Sequence, residues 1–197
     1  PFIEQDLRYK HITTTQKAAT NACIFFMMDV SGSMTTDKKY LARSFFFLLY
    51  HFIRSRYEKT DIVFVSHDTQ PYEVDEDKFF GRGTGGGTMV SPTIEYVIEQ
   101  ANKRYNPSSW NLYAFHCSDG DNWGDDMDKT IKNNEILKNM CQFYGYCEIT
   151  PETDRIKWGN GTTLSEAYEP YEDEKFKIGR IYRKEDVWKV FREFFRS

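Results

Sequence analysis

The sequence predicts an α/β fold: a doubly wound, mostly parallel sheet with helices on both faces and one short antiparallel edge strand. Three observations predict it. Apolar runs near 24–28, 61–67 and 111–120 are continuous rather than alternating, as in strands buried on both faces. Between them lie segments whose apolar residues recur at helical spacing, so strands and helices alternate along the chain. Two of the strands also end in short acidic turns, "MMDVSGS" and "HCSDGD", at the strand ends where such sheets bind ligands.

The elements follow in order. "IFFMMDVSGSM" at 24–34 is a buried strand that stops at Asp29, Ser31 and Ser33. Residues 38–57 place Leu41, Phe45, Leu48, Leu49, Phe52 and Ile53 on one face of a helix. "DIVFVSH" at 61–67 is a second buried strand, and Gln70-Pro71 with "YEV" suits a sheet edge, because proline has no amide proton to give a ladder. After the glycine-rich "GRGTGGGT" at 81–88, Ser91-Pro92 serves as N-cap and first turn of a helix that continues through Ile94, Val97, Ile98, Ala101 and Tyr105. "NLYAFHCSDG" at 111–120 is the next strand. A helix over 128–143, a strand over 144–150, an irregular "PETDRIKWGNGTT", a strand over 176–182 and a helix over 185–195 complete the chain. Neither a repeat nor a linker divides it. Residues 1–20, polar and irregular, are expected to form an N-terminal extension that wraps the sheet edge or ties back to absent sequence, and 21–197 to form the domain. Residue 1 is Pro, so a piece of a longer or processed chain is expected.

Composition narrows the function. With 197 residues, 40% hydrophobic and 17% aromatic, the chain can bury a large core. A net charge of -4 with scattered basic residues argues against nucleic acid. Apolar runs such as 45–50 are far short of the roughly 20 residues of a membrane span, and the N-terminus lacks a signal pattern. A cytoplasmic protein without a membrane partner is expected. Cys23, Cys117, Cys141 and Cys147 form no CxxC pair and read as small buried thiols rather than disulfides or a zinc site.

The strand-end oxygens point to a metal. Asp29, Ser31 and Ser33, at i, i+2 and i+4 of an extended turn, can aim at one point. Thr88, at the end of the glycine run, adds a hydroxyl, and Asp119 a second carboxylate. Such an oxygen set suits Mg2+ or Mn2+; for Mg2+ the distances are about 2.0–2.1 Å in octahedral geometry. Asp121, Asn122 and Trp123 follow in a loop beside the site, as partner contacts, water-orienting groups or a helix cap. His67 and His116, at strand ends, are donors behind the site, general bases, or satisfied core histidines. Gly81, Gly83 and Gly86 have GxGxxG spacing but no strand immediately before them, and the loop lacks a P-loop lysine, so nucleotide binding is not expected. "NGT" at 160–162 is a glycosylation sequon only in an exported protein.

Asp-Val-Ser-Gly-Ser at 29–33, "GGT" at 86–88 and "SDGD" at 118–121 resemble the three segments of the metal-ion-dependent adhesion site of von Willebrand factor A domains. "MMDVSGSM", "KKYLARSFFFLL", "IVFVSHDT", "EVDEDKFF", "GGGTMVSP" and "YAFHCSDGDNW" more closely resemble the YeaH/YhbH family of bacterial von Willebrand A-type proteins, associated with stress response or sporulation. Over 21–197 the resemblance implies a von Willebrand A-type domain. It also implies metal ligation by Ser31, Ser33 and Thr88 through hydroxyls, with Asp29 and Asp119 bound directly or through water. The remaining position would take an Asp or Glu of a partner protein. Family gene neighbourhoods make an AAA-type serine protein kinase or a SpoVR-like protein the expected partner. The chain is then a docking module and not an enzyme. The alternative is a metal-dependent phosphatase or phosphotransferase using Asp29. Such enzymes carry a second carboxylate two residues on, where this chain has Ser31. A domain with a vestigial site is the third reading, opposed by the intact ligand set.

Overall fold

A computed structural model describes residues 21–57, 59–81, 85–151 and 162–196. The proposed N-terminal extension, Gly83 of the glycine motif and most of "PETDRIKWGNGTT" and "NGT" lie outside the described residues.

The elements are β1 (Asn21–Asp29), α1 (Thr36–Arg54), β2 (Lys59–His67), β3 (Pro71–Val74), α2 (Glu76–Gly81), α3 (Ser91–Arg104), β4 (Trp110–Ser118), α4 (Met127–Met140), β5 (Phe143–Ile149), α5 (Leu164–Tyr168), β6 (Phe176–Ile181) and α6 (Lys184–Phe194). They build a six-stranded sheet in the order β3-β2-β1-β4-β5-β6. All neighbours pair in parallel except β3, which runs antiparallel to β2 at the edge. This is the doubly wound class the alternation predicts, edge strand included.

The sheet sorts β1 by alternation. Ile24, Phe26 and Met28 enter the core shared with α1 and α6, while Cys23, Phe25 and Met27 enter the one shared with α3. Every residue from Ala22 to Asp29 is fully buried, which explains the unbroken apolar run. One face is dense in aromatic contacts: Phe26 meets Phe46 at 4.8 Å between ring centroids, and Phe45 meets Phe194 edge to face at 5.7 Å. All four cysteines are buried free thiols. Among the described residues no helix is long and apolar enough to cross a membrane.

Two local expectations need correction. Ser91 is the first helical residue of α3 rather than its cap, and Val90 before it makes no side-chain cap bond. The cap comes from Asp126, whose carboxylate accepts the amides of Val90 at 3.0 Å and Ser91 at 2.9 Å. The short helices α2 and α5 were not expected.

β1 and β4 are adjacent, with their onward connections leading to opposite halves of the sheet. Their carboxyl ends therefore form the switch point, where the departing loops leave a crevice. Asp29 ends β1, and Asp119 directly follows β4.

Candidate metal centre

Three loops meet at this crevice. In the first, at 30–35, the chain turns back on itself: the Ser31 amide donates to Asp29 Oδ1 at 2.8 Å, and the Thr35 amide to the Ser33 carbonyl at 3.0 Å. The Ser31 and Ser33 hydroxyl oxygens lie 3.1 Å apart, so the i, i+2 spacing does bring them together. Thr35 then caps α1 by accepting the Lys38 amide.

The second loop, at 85–90, is fastened to the first and third. Its Gly86, at φ 143°, offers its carbonyl to the Gly32 amide at 3.0 Å. The Thr88 carbonyl accepts from the Trp123 amide at 3.2 Å, and Asn122 Oδ1 accepts the Val90 amide at 3.1 Å. Gly87 has a steric reason: a Cβ there would stand 2.7 Å from the Trp123 ring. Thr88 itself is 1% exposed.

In the third loop, at 119–126, Asp119 is buried and binds Lys38 Nζ through Oδ2 at 3.0 Å. Lys38 Nζ also reaches the Ser33 carbonyl at 3.1 Å, closing the first loop onto the third. Gly120, at φ 89°, turns the chain so that its carbonyl accepts from Leu164.

The electrostatics are those of a carboxylate lacking its counter-charge. Asp29 Oδ2 is buried and has no hydrogen-bond partner among the described residues. Burial and then the neighbouring Asp119 push the Asp29 carboxyl up to about 7, against the lowering pull of its Ser31 bonds. Asp121, half-buried, is raised by burial and by Asp119. Among the described residues no three His, Cys, Asp or Glu side chains cluster as metal ligands. The five named residues instead offer two carboxylates and three hydroxyls. That donor set, with one buried carboxylate oxygen unpartnered, fits a hard divalent cation.

The residues named for the rim divide. Trp123 is 52% exposed over the second loop. Asn122 is an internal brace, accepting from Val90 and donating to Thr130 Oγ1 at 3.1 Å. His67 is fully buried beneath the site, and its carbonyl accepts the Val30 amide at 2.8 Å. Its Nε2 lies 2.8 Å from Nε2 of His116, so one ring donates and the other accepts. Burial lowers His67 to about 4, and burial with the neighbouring His67 lowers His116 well below the ordinary value, so the pair is neutral at physiological pH. Sequence reasoning missed Lys38 and Asp126. The signal for Lys38 was a lysine in the first turn of a helix, where the dipole disfavours a cation.

Structural neighbours agree with this architecture, and relatives share the sequence. The chain is 46% identical over 187 residues to a UPF0229 protein of Ruminiclostridium cellulolyticum, covering 95% of this chain and 46% of that protein. It is 40% identical over 200 residues to a UPF0229 protein of Pectobacterium carotovorum, covering all of this chain and 46% of that one. The chain thus spans about half the length of these relatives. An aerotolerance-related membrane protein of Bacteroides fragilis superposes with a TM-score of 0.58 at 11% identity, covering 89% of this chain and 100% of that one. The manganese-loaded TRAP protein of Plasmodium vivax does so at 0.54 and 11%, covering 89% of this chain and 74% of that one. These neighbours share the von Willebrand A-like fold. The family model described as "Protein of unknown function (DUF444)" matches residues 1–197, and the chain belongs to that family.

Proposed function

We propose that the crevice is a divalent-cation-dependent docking site of the metal-ion-dependent adhesion type. Asp29, Ser31, Ser33, Thr88 and Asp119 would hold Mg2+ or Mn2+, and a partner protein's Asp or Glu would complete the shell. The observation that carries it is the buried, unpartnered Asp29 Oδ2 beside the Ser31–Ser33 hydroxyl pair. A buried carboxylate oxygen without a donor is costly unless something positive meets it. Bound there, the cation supplies attraction for a further carboxylate, because few of its ligands are charged. Thr88 is supported by its place in a loop hydrogen-bonded to both others.

In this reading the chain binds and does not catalyse, since Ser31 stands where a phosphoryl-transfer enzyme has its second carboxylate. The proposed partner is a serine protein kinase of the AAA type or a SpoVR-like protein in a bacterial stress or sporulation pathway. That choice rests on the family resemblance alone. The manganese in the Plasmodium vivax neighbour recommends Mn2+ as a probe.

Calorimetric titration of Mg2+ and Mn2+ into wild type, Thr88→Val and Thr88→Ser tests the reading. Thr88→Val keeps the shape and removes the oxygen, so metal affinity should fall by about tenfold or more while Thr88→Ser stays near wild type. Equal affinity in wild type and Thr88→Val removes Thr88 from the shell, and no binding by wild type removes the site. Capture of partners with and without chelator then reads the docking function.

A further inference from the structure

We propose that Lys38 is a resident cation of the crevice, so that the site takes a divalent ion weakly by itself and more tightly together with a partner's carboxylate. This rests on the metal reading above.

The placement of Lys38 is doubly unfavourable. It sits in the first turn of α1, a helix of 19 residues, at the positive end of the helix dipole. It is also 4% exposed, and removing an ammonium from water is expensive. Two of the groups that offset these costs lie in the crevice: Asp119 Oδ2 at 3.0 Å and the Ser33 carbonyl at 3.1 Å. The ammonium therefore joins the first loop to the third, a role that a cation shared by Asp29 and Asp119 would also fill.

The four carboxylate oxygens show how the site is divided. Asp29 Oδ1 accepts from the Ser31 amide, Asp119 Oδ1 from the Asp121 amide at 3.3 Å, and Asp119 Oδ2 from Lys38. Asp29 Oδ2 has no hydrogen-bond partner among the described residues. Any divalent ion held by both aspartates thus shares Asp119 with a positive charge already bonded to it. Buried charges are weakly screened, so the repulsion lowers affinity for the bare ion. An incoming carboxylate is attracted by both charges. Lys38 thereby couples metal binding to partner binding, which suits a site that should engage only when the partner is present.

The test is calorimetry of Mn2+ into the 197-residue chain and its Lys38→Met and Lys38→Gln variants, with thermal melts of each in chelator and in Mn2+. Both variants should bind Mn2+ about tenfold more tightly than wild type. Acetate, as a stand-in for the partner carboxylate, should tighten Mn2+ binding in wild type more than in either variant. In chelator Lys38→Met should melt below wild type, because Asp119 loses its counter-charge, and Mn2+ should restore it; if that variant does not fold in chelator, Lys38→Gln carries the comparison. Equal or weaker Mn2+ binding in the variants overturns the role of Lys38 and leaves the metal site standing. Failure of all three proteins to bind Mn2+ overturns both.

Discussion

At the scale of the residue, Asp29 sets function against stability. Its carboxyl is raised from the ordinary aspartate range to about 7, first by burial and then by Asp119. The folded state therefore holds its proton more tightly than the unfolded chain. Stability from this group is complete below the unfolded value near 3.8 and is lost as pH rises through about 7. In chelator, Asp29→Asn should consequently be more stable than wild type at pH 8 by an amount on the order of 2–4 kcal/mol, and by less at pH 5. Urea denaturation at the two pH values measures the difference, and a variant no more stable than wild type at pH 8 contradicts it. Saturating Mn2+ should stabilise wild type and leave Asp29→Asn nearly unmoved. The candidate ligands were legible because short oxygen side chains after a buried strand are chemically out of place. Lys38 offered only the weak signal of a lysine in a first helical turn, because its partner Asp119 stands 81 residues away in sequence and only the fold brings the two together.

At the scale of the element, long and strongly periodic segments declare themselves and dependent ones do not. The face carrying Leu41, Phe45 and Leu49 identified α1, whose observed span is Thr36–Arg54. Helices α2 and α5, of 6 and 5 residues, are too short to establish a period. The start of α3 was misread because its capping group is supplied by another segment. Asp126 is buried, which alone pushes its carboxyl up, but donors from Ser91, Thr130 and Val90 hold it below the usual aspartate range. Asp126→Ala would strand the Ser91 amide and the Ser91 and Thr130 hydroxyls in a buried place and leave the Val90 amide with Asn122 Oδ1 alone. The expected loss is about 2–3 kcal/mol in chemical denaturation, with early amide exchange at the start of α3. The native contribution of this carboxylate is present above the unfolded pKa and falls away as pH drops through its depressed folded value. A second element depends on a missing side chain. A Cβ at Gly179 would stand 2.2 Å from Val190 and one at Gly145 2.5 Å from Phe194, so both glycines let α6 lie close on β5 and β6. Gly179→Ala should cost about 1–3 kcal/mol by forcing α6 off the sheet, while an alanine at Gly124, which meets nothing within 4 Å, should not clash.

At the scale of the whole molecule, the core and the crevice are separable. The alternation of elements implied a parallel, doubly wound sheet that binds ligands at its strand ends, which is why Asp29 and Asp119 could be named, whereas the order that sets β1 beside β4 at the switch point is legible only in the fold. The core is built on both faces of the sheet from side chains such as Phe25, Phe26, Phe46, Phe115, Tyr144 and Tyr146, all fully buried. The three loops are tied pairwise by Gly32 to Gly86, Trp123 to Thr88 and Lys38 to Asp119, all of them bonds between protein atoms. Small metal-folded domains behave differently, because their ligands are the core. Here chelation should leave far-ultraviolet circular dichroism unchanged. Added Mg2+ or Mn2+ should raise the melting temperature only by the mass-action term, about 2.7 kcal/mol at a hundredfold excess over the dissociation constant. A loss of helix and strand signal in chelator would mean that the crevice organises the sheet, whereas an unchanged spectrum with a metal-dependent melt means that the cation binds to a fold already complete.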